Sequence, residues 1–417
     1  MPRKKPARKP LTIAVLGAGG RGSGFGELIR EFPEWAKVVA VAEPRADYRE
    51  GFAKRHDLDP SQVFSTWQEF VAQPRLCDAV VIATMDRDHV GPAVACTDLG
   101  YHLLLEKPMA VTLADCRAIA AAQRRAGTIT AVCHSLRYHN MFRLLKEQID
   151  AGRFGRIITI DQLEQVAWWH QAHSFVRGNW GNEGRSAFML LAKSCHDLDY
   201  LAYLAGQPCQ RVSSFGALTY FTRANAPTRS GTRCTKCPVE KTCAYSAIRH
   251  YVKANREAWP AAAISFDHSE AAHRRAIETG PYGRCVWKCD NDVVDHQVVL
   301  LEFAQDVTAT FTMTAFTGNG GRLIRVHGTE ADATFVEDKI FLRPFASGKE
   351  EVITLPPETG GHGGGDYRVV KSWLQALVEN DPTHVVTDVQ ESLRTHTIVF
   401  AAERARREQR LIAISEM

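Results

Sequence analysis

The chain has 417 residues, 45% of them hydrophobic and 24% charged, with a formal net charge of only +4. That length suggests two domains, with room for an insertion. No basic stripe interleaved with aromatics is present, which argues against nucleic acid as a partner, and no apolar run reaches membrane-spanning length. Residues 1–10 hold five Lys or Arg and read as a basic disordered tail. They lack the apolar h-region of a secretory signal. Eleven cysteines without such a signal point to reduced thiols and a cytoplasmic location rather than a disulfide framework.

The first predicted strand is the apolar run at 13–16. The turn Gly17-Ala18-Gly19-Gly20-Arg21-Gly22 follows it, then a helix, then a second apolar run at 38–42 that ends in Glu43. This is the G-x-G-x-x-G fingerprint with strand before, helix after and an acid at the end of the second strand. Gly17 permits the tight turn, Gly19 lets the backbone approach a pyrophosphate at the helix N-terminus, and Gly22 lets helix and strand pack closely. Gly20 and Arg21 lie on the same loop. Glu43 suits the ribose hydroxyls of NAD and would repel a 2′-phosphate, a preference that Arg45 weakens.

Residues 77–84 read as another buried strand ending in Thr84. In the loop after it, His89 can face the cofactor or cap the helix that begins near Val90; the cap is the favoured reading. The strand at 102–105 ends in Glu106-Lys107-Pro108, which places a lysine where a substrate hydroxyl would meet a nicotinamide. The strand at 129–134 leads from His134 into Arg137 and Tyr138, again at that edge.

These motifs together resemble the glucose–fructose oxidoreductase, inositol dehydrogenase and rhizopine-catabolism (Gfo/Idh/MocA) family, over nearly the whole chain. The resemblance implies an α/β Rossmann domain at 11–134. A second α+β domain at 135–417 would follow, with a large, open, mostly antiparallel sheet. It further implies NAD(P), a sugar or cyclitol substrate, a homodimer or homotetramer, and Lys107 and His196 as proton-handling groups. Thr84, His89, Glu106 and Lys107 join Gly17, Gly19, Gly20, Arg21, Gly22, Glu43 and Arg45 as cofactor-binding positions. One departure stands out. Inositol-dehydrogenase-like members carry an aspartate four residues before the histidine, and here that position is Ala192, followed by Lys193. Lys193 is then a candidate acid/base group or a seat for an anionic substituent; a solvated helix lysine is the plain alternative.

Residues 168–180 hold three tryptophans with His and Arg, which suits either a sugar face or an interface patch. His134, Arg137, Trp169, His173, Arg177, Trp180 and Lys193 are therefore substrate-binding candidates. Within an insertion at about 225–290, Cys234, Cys237, Cys243, Cys285 and Cys289 read as a structural zinc site; His250 is an outside candidate, and unligated thiols are the alternative. The runs 297–303, 308–313, 323–328 and 333–335 alternate as strands, with a turn at 304–307. Asp366, at the end of a glycine loop, can cap the helix near Tyr367, and His362 in that loop reads as solvent-facing. A last helix at 389–408 is expected to pack back on the Rossmann domain.

Three functions fit. The first is a redox-neutral, NAD-dependent glycosidase acting on an anionic glycoside (sulfoquinovoside-like) by transient C3 oxidation, elimination, water addition and re-reduction. It is favoured by the missing aspartate, by the positive set Arg137, Arg177, Arg185 and Lys193, and by Lys193, Tyr138 and His134 as extra acid/base groups. The alternatives are an NAD-dependent sugar or cyclitol dehydrogenase and a non-enzymatic NAD-binding regulator; the presence of Lys107 and His196 argues against the regulator.

Overall fold

A computed structural model describes residues 9–356 and 360–417. The expected basic tail falls almost wholly outside them. The chain divides into two compact units, the first built from residues 9–140 and 360–394 and the second from 141–356 and 395–417. The segment 360–394 thus clusters with the first unit, where the sequence reading had run one domain from 135 to 417.

In the first unit six strands form a parallel sheet in the order β3-β2-β1-β4-β5-β6. They are β1 (Leu11–Leu16), β2 (Ala36–Ala42), β3 (Val63–Phe64), β4 (Ala79–Ile82), β5 (His102–Leu105) and β6 (Thr130–Val132). Such strands are buried on both faces, so they read as continuous apolar runs: every residue of β4 and β6 is buried. The helices are bounded by ordinary chemistry. Thr112 caps Leu113–Ala126 through the Asp115 amide, and Gly127, in the left-handed region, ends it. The helix Gly365–Glu379 adds Val369, Val370, Trp373 and Leu374 to the core that holds Ile13, Val15, Val81 and Leu104.

The second unit is built on a nine-stranded sheet in the order β14-β13-β12-β11-β7-β10-β9-β8-β15. Its strands are β7 (Ile157–Gln165), β8 (Cys209–Ala217), β9 (His296–Phe303), β10 (Thr308–Thr314), β11 (Gly321–Gly328), β12 (Ala331–Val336), β13 (Lys339–Pro344), β14 (Glu351–Thr354) and β15 (Ile412–Ala413). All pairings are antiparallel except β10 with β7. β10 and β12 alternate buried and half-exposed residues, the signature of a sheet with one covered face. Between β8 and β9 the cysteine-rich segment forms short turns and one regular helix, Glu270–Thr279. The helix Val389–Glu408 begins in the first unit and continues into the second. Among the described residues no helix is long and apolar enough to cross a membrane.

Candidate active site

Because β1, β4 and β5 run parallel in register, their ends at Leu16, Ile82 and Leu105 share one edge of the sheet. The glycine turn leaves from that edge. Gly17 has φ of +90°, and a Cβ there would lie 2.5 Å from the Ala83 carbonyl oxygen; a Cβ on Gly22 would lie 1.8 Å from the Gly17 oxygen. Only glycine satisfies both positions. The helix Gly20–Arg30 then starts at Gly19, so its open amides face the space beyond the turn. The buried Glu43 carboxylate accepts from the Ala18 amide (2.8 Å) and from the Arg45 Nε (2.7 Å). Burial opposes its ionisation, but the Arg45 and Ala18 hydrogen bonds prevail and lower its pKa. The Arg45 guanidinium lies 3.8 Å over the Tyr48 ring. Glycines, helix terminus and acid together fit a dinucleotide.

A charge network fixes the strand end beside this turn. Arg21 donates from Nε to Glu106 (2.5 Å) and from both terminal nitrogens to Asp366 (2.6 and 2.9 Å). The other Glu106 oxygen accepts from the backbone amide of Lys107 at 2.7 Å. Ser135 donates to Asp366 at 2.6 Å, and His362 lies 3.0 Å from it. Burial raises the pKa of Asp366, yet its bonds to His362 and Arg21 hold it far below the usual carboxylate range. Asp366 is therefore not the helix cap; the cap position is Gly364, and Asp366 is an anchor. The sequence reading missed this role because a partner 345 residues away leaves no local signal. His362 is likewise tied to Asp366 instead of standing alone in solvent. His89 occupies the N-cap position but caps nothing: its Nδ1 lies 2.7 Å from the Pro108 oxygen and its Nε2 3.3 Å from the Thr84 oxygen. It ties the loops that follow β4 and β5 together.

Two candidates from the β6 exit have their polar groups engaged within the fold. Tyr138 packs in the apolar core, with its hydroxyl 3.2 Å from Thr387. Burial raises its pKa, which makes it a poor acid/base group. Arg137 is buried and donates to Glu391 (2.8 Å) and to the Val386 oxygen (3.2 Å). His134 is fully buried at the end of β6.

In the second unit, His196 lies in the first turn of the helix Cys195–Ala205 and is 4% exposed. Lys193 precedes that helix, and its ammonium donates to Glu164 of β7 at 2.5 Å. Arg322 of β11 pairs with the other Glu164 oxygen (3.0 Å) and with Asp197 (2.6 and 3.2 Å), and Gln162 also donates to Asp197 (2.6 Å). Two cations thus balance two carboxylates around the start of the His196 helix. Burial raises the pKa of Glu164 against the lowering pull of Arg322 and Lys193. Glu164 and Arg322 went unseen in the sequence, where they are ordinary polar positions of alternating strands.

The tryptophan segment folds as a short helix and a wide turn. Trp169 is half-buried edge-on to Trp259, with ring centres 5.3 Å apart, and Trp180 is half-buried near Phe175. His173 is buried, stacks on Tyr282 and bonds the Tyr251 hydroxyl at 3.1 Å. Burial, helped by the Arg177 charge, pushes its pKa down to about 3. Arg177 is buried too, and donates to the backbone oxygens of Arg284 and Tyr245, both at 2.7 Å. Arg185 pairs with Asp290.

The expected zinc site is not assembled. All five cysteines of the segment are free, and four of them (Cys234, Cys237, Cys243 and Cys285) line one cavity of about 10 Å³. Among the described residues, however, no three His, Cys, Asp or Glu side chains are arranged to hold a metal. Several sulfurs are engaged separately: Cys234 accepts from Arg177, Cys237 from the Gly231 amide, and Cys289 donates to the Cys285 oxygen. His250 bonds the Ala244 oxygen instead.

Comparison with known proteins agrees with this architecture. Residues 11–134 match the family model described as "Oxidoreductase family, NAD-binding Rossmann fold", and residues 146–414 match its "C-terminal alpha/beta domain". A Bacillus subtilis protein described as putative oxidoreductase YteT is 25% identical over 307 residues, 69% of this chain and 70% of that one. Inositol 2-dehydrogenase 2 of Saccharopolyspora erythraea is 25% identical over 53% of this chain and 58% of its own. Several other curated relatives are matched over only about half their length or less. The structure of levoglucosan dehydrogenase in complex with NADH superposes with a TM-score of 0.72 over 97% of this chain and 99% of its own, at 16% identity, a likeness of fold. A glycine turn that demands glycine, an acid at the end of the second strand and two family models covering nearly the whole chain lead to one assignment: the protein belongs to the Gfo/Idh/MocA family of NAD-dependent oxidoreductases.

Proposed function

We propose that this protein is an NAD-dependent dehydrogenase that oxidises a secondary hydroxyl of a sugar or cyclitol, with net formation of NADH. The observation that carries the reading is the Arg21–Glu106–Lys107 chain, which ties the glycine turn to the backbone of the lysine. Oxidising a carbinol needs a group to take the hydroxyl proton and a positive group to stabilise the developing alkoxide. Lys107 is assigned the electrostatic role, since the Glu106 bond to its amide fixes where its side chain starts. His196 is assigned the proton, since an imidazole changes charge near neutral pH. The residues 17–22 and Glu43 would hold the dinucleotide, which when bound supplies the hydride acceptor. The names of the relatives, among them inositol 2-dehydrogenases, support the same reading.

Of the positive set behind the redox-neutral glycosidase reading, Lys193, Arg137 and Arg185 have carboxylate partners, while Arg177 bonds backbone oxygens. One assay separates the two. Purified protein with NAD is offered free sugars, cyclitols and nitrophenyl glycosides, neutral and anionic, while NADH and nitrophenolate are followed together. Stoichiometric NADH from a free polyol supports the proposal. Nitrophenolate release without net NADH overturns it in favour of the glycosidase.

A further inference from the structure

We infer that the cysteine-rich segment forms a binding site for a compact polyanion, a phosphoryl or polycarboxylate group. A cavity of about 430 Å³ opens in the second unit, lined by Arg177, Arg185, Arg233 and Arg284 together with Asn179 and Thr279. That volume is in the range of small-molecule sites. His196, assigned the proton above, does not line it.

The charge is unbalanced. Arg185 and Arg284 share one carboxylate, Asp290, at 2.5 and 2.6 Å. Asp292 lies nearby, but it accepts from Asn182 and the Glu183 amide. Arg177 and Arg233 have no carboxylate partner among the described residues. Arg177 bonds two backbone oxygens and the Cys234 sulfur, and Arg233 bonds the carbonyls of Ile277 and Gly280. Two donors at the cavity, Arg233 Nε and Asn179 Nδ2, are buried with no hydrogen-bond partner. The Arg177 guanidinium is buried without an anion, and burying a charge without a counter-charge is costly. One multivalent anion would offset the surplus positive charge of this wall, because guanidinium groups grip phosphate and carboxylate through paired N–H bonds.

Thr279 supplies a gentle test. It is exposed at the end of its helix, so Thr279→Glu adds a carboxylate to the cavity wall without entering the core. The full chain, free of NAD, is titrated by calorimetry with inorganic phosphate, citrate and a neutral triol at constant ionic strength. Saturable binding of phosphate or citrate with Kd at or below about 1 mM is expected, weakened about tenfold or more by Thr279→Glu and by Asn179→Asp. Phosphate alone binding would identify a phosphoryl site, and citrate alone a polycarboxylate site. If neither anion binds above the triol, or if both variants bind as well as the parent chain, the inference is overturned.

Discussion

The Lys193 ammonium lies 2.5 Å from the Glu164 carboxylate, and Arg322 joins that pair to Asp197, the residue after His196. The lysine that stands beside the missing aspartate is thus part of a neutral four-charge cluster, not a spare cation. Glu164→Gln would leave Lys193 and Arg322 facing Asp197 alone. Removing one member of a buried ion pair costs about 3 kcal/mol. Urea unfolding should show a loss of that size. A loss below about 1 kcal/mol would mean that the pair behaves as a solvent-screened surface bridge.

Lys107 carries the proposed electrostatic role. Lys107→Ala should lower kcat by about 10²- to 10⁴-fold and leave NADH affinity nearly unchanged, because the glycine turn and Glu43 are untouched. Steady-state kinetics on the polyol found in the substrate panel, with a fluorescence titration of NADH, checks both halves. Full activity in the variant would remove Lys107 from the chemistry.

Glu43 and Arg45 decide the adenosine end. The Glu43 carboxylate sits against the Ala18 amide, where a ribose hydroxyl would find an acceptor and a 2′-phosphate would meet a negative charge. The parent chain should bind NADH at least about tenfold more tightly than NADPH. Glu43→Ser removes the repulsion and frees Arg45 from its carboxylate, so the preference should fall or invert. Equal affinity for both cofactors in the parent chain would contradict this account.

How much of this was legible in the sequence follows from the range of the interactions. The strands β1, β2, β4 and β5 are continuous apolar runs beside a glycine turn, and local pattern suffices for them. The helix Val389–Glu408 was read with the ends the structure shows. β8, β13 and β14 were not identified. β8 is broken by Gly216 and by polar residues such as Gln210, Arg211, Ser213 and Ser214, and β14 is a four-residue edge strand with little burial. β8 pairs with β9 across the cysteine-rich segment and with β15 near the end of the chain, whereas β13 and β14 continue a run of local hairpins. The site divides the same way. Gly17, Gly22, Glu43 and Lys107 announce themselves by motif, while Asp366, Glu164 and Arg322 gain meaning only once folding brings their partners alongside. For the five cysteines the spacing suggests a tetrahedral site; the fold brings four of them to one small cavity, and among the described residues no metal-ligand set is assembled there.

Tyr138 offers a clean check on one such reassignment. Its ring packs in the first unit's core and its hydroxyl lies 3.2 Å from that of Thr387, with Ser372 also in hydrogen-bonding reach. Tyr138→Phe should cost about 1 kcal/mol, the worth of one neutral hydrogen bond, and leave kcat within about twofold. A large drop in kcat at unchanged stability would return the phenol to the chemistry.

His173 gives a pH dependence whose sign is fixed by its burial. Its pKa stands at about 3 instead of the ordinary 6.5, because burial and the neighbouring Arg177 disfavour the imidazolium. The unfolded chain binds a proton below 6.5 and the folded chain does not. The stability that neutral His173 contributes is therefore fully present above pH 6.5 and is lost as the pH falls towards 3, at about 1.4 kcal/mol per unit. Carboxylates with lowered pKa, such as Asp366, titrate in the same sense, so the informative quantity is the difference between the parent chain and His173→Phe. The variant keeps the stacking on Tyr282 and removes one partner of the Tyr251 hydroxyl, which retains Arg177, a fixed cost of about 1 kcal/mol at neutral pH. Urea midpoints should then converge and cross near about pH 6, the variant being the more stable of the two by about pH 4.5 because the parent loses stability faster. Parallel curves would mean that the ring takes up its proton without penalty, and the packing of His173 between Tyr251 and Tyr282 would not be holding it neutral.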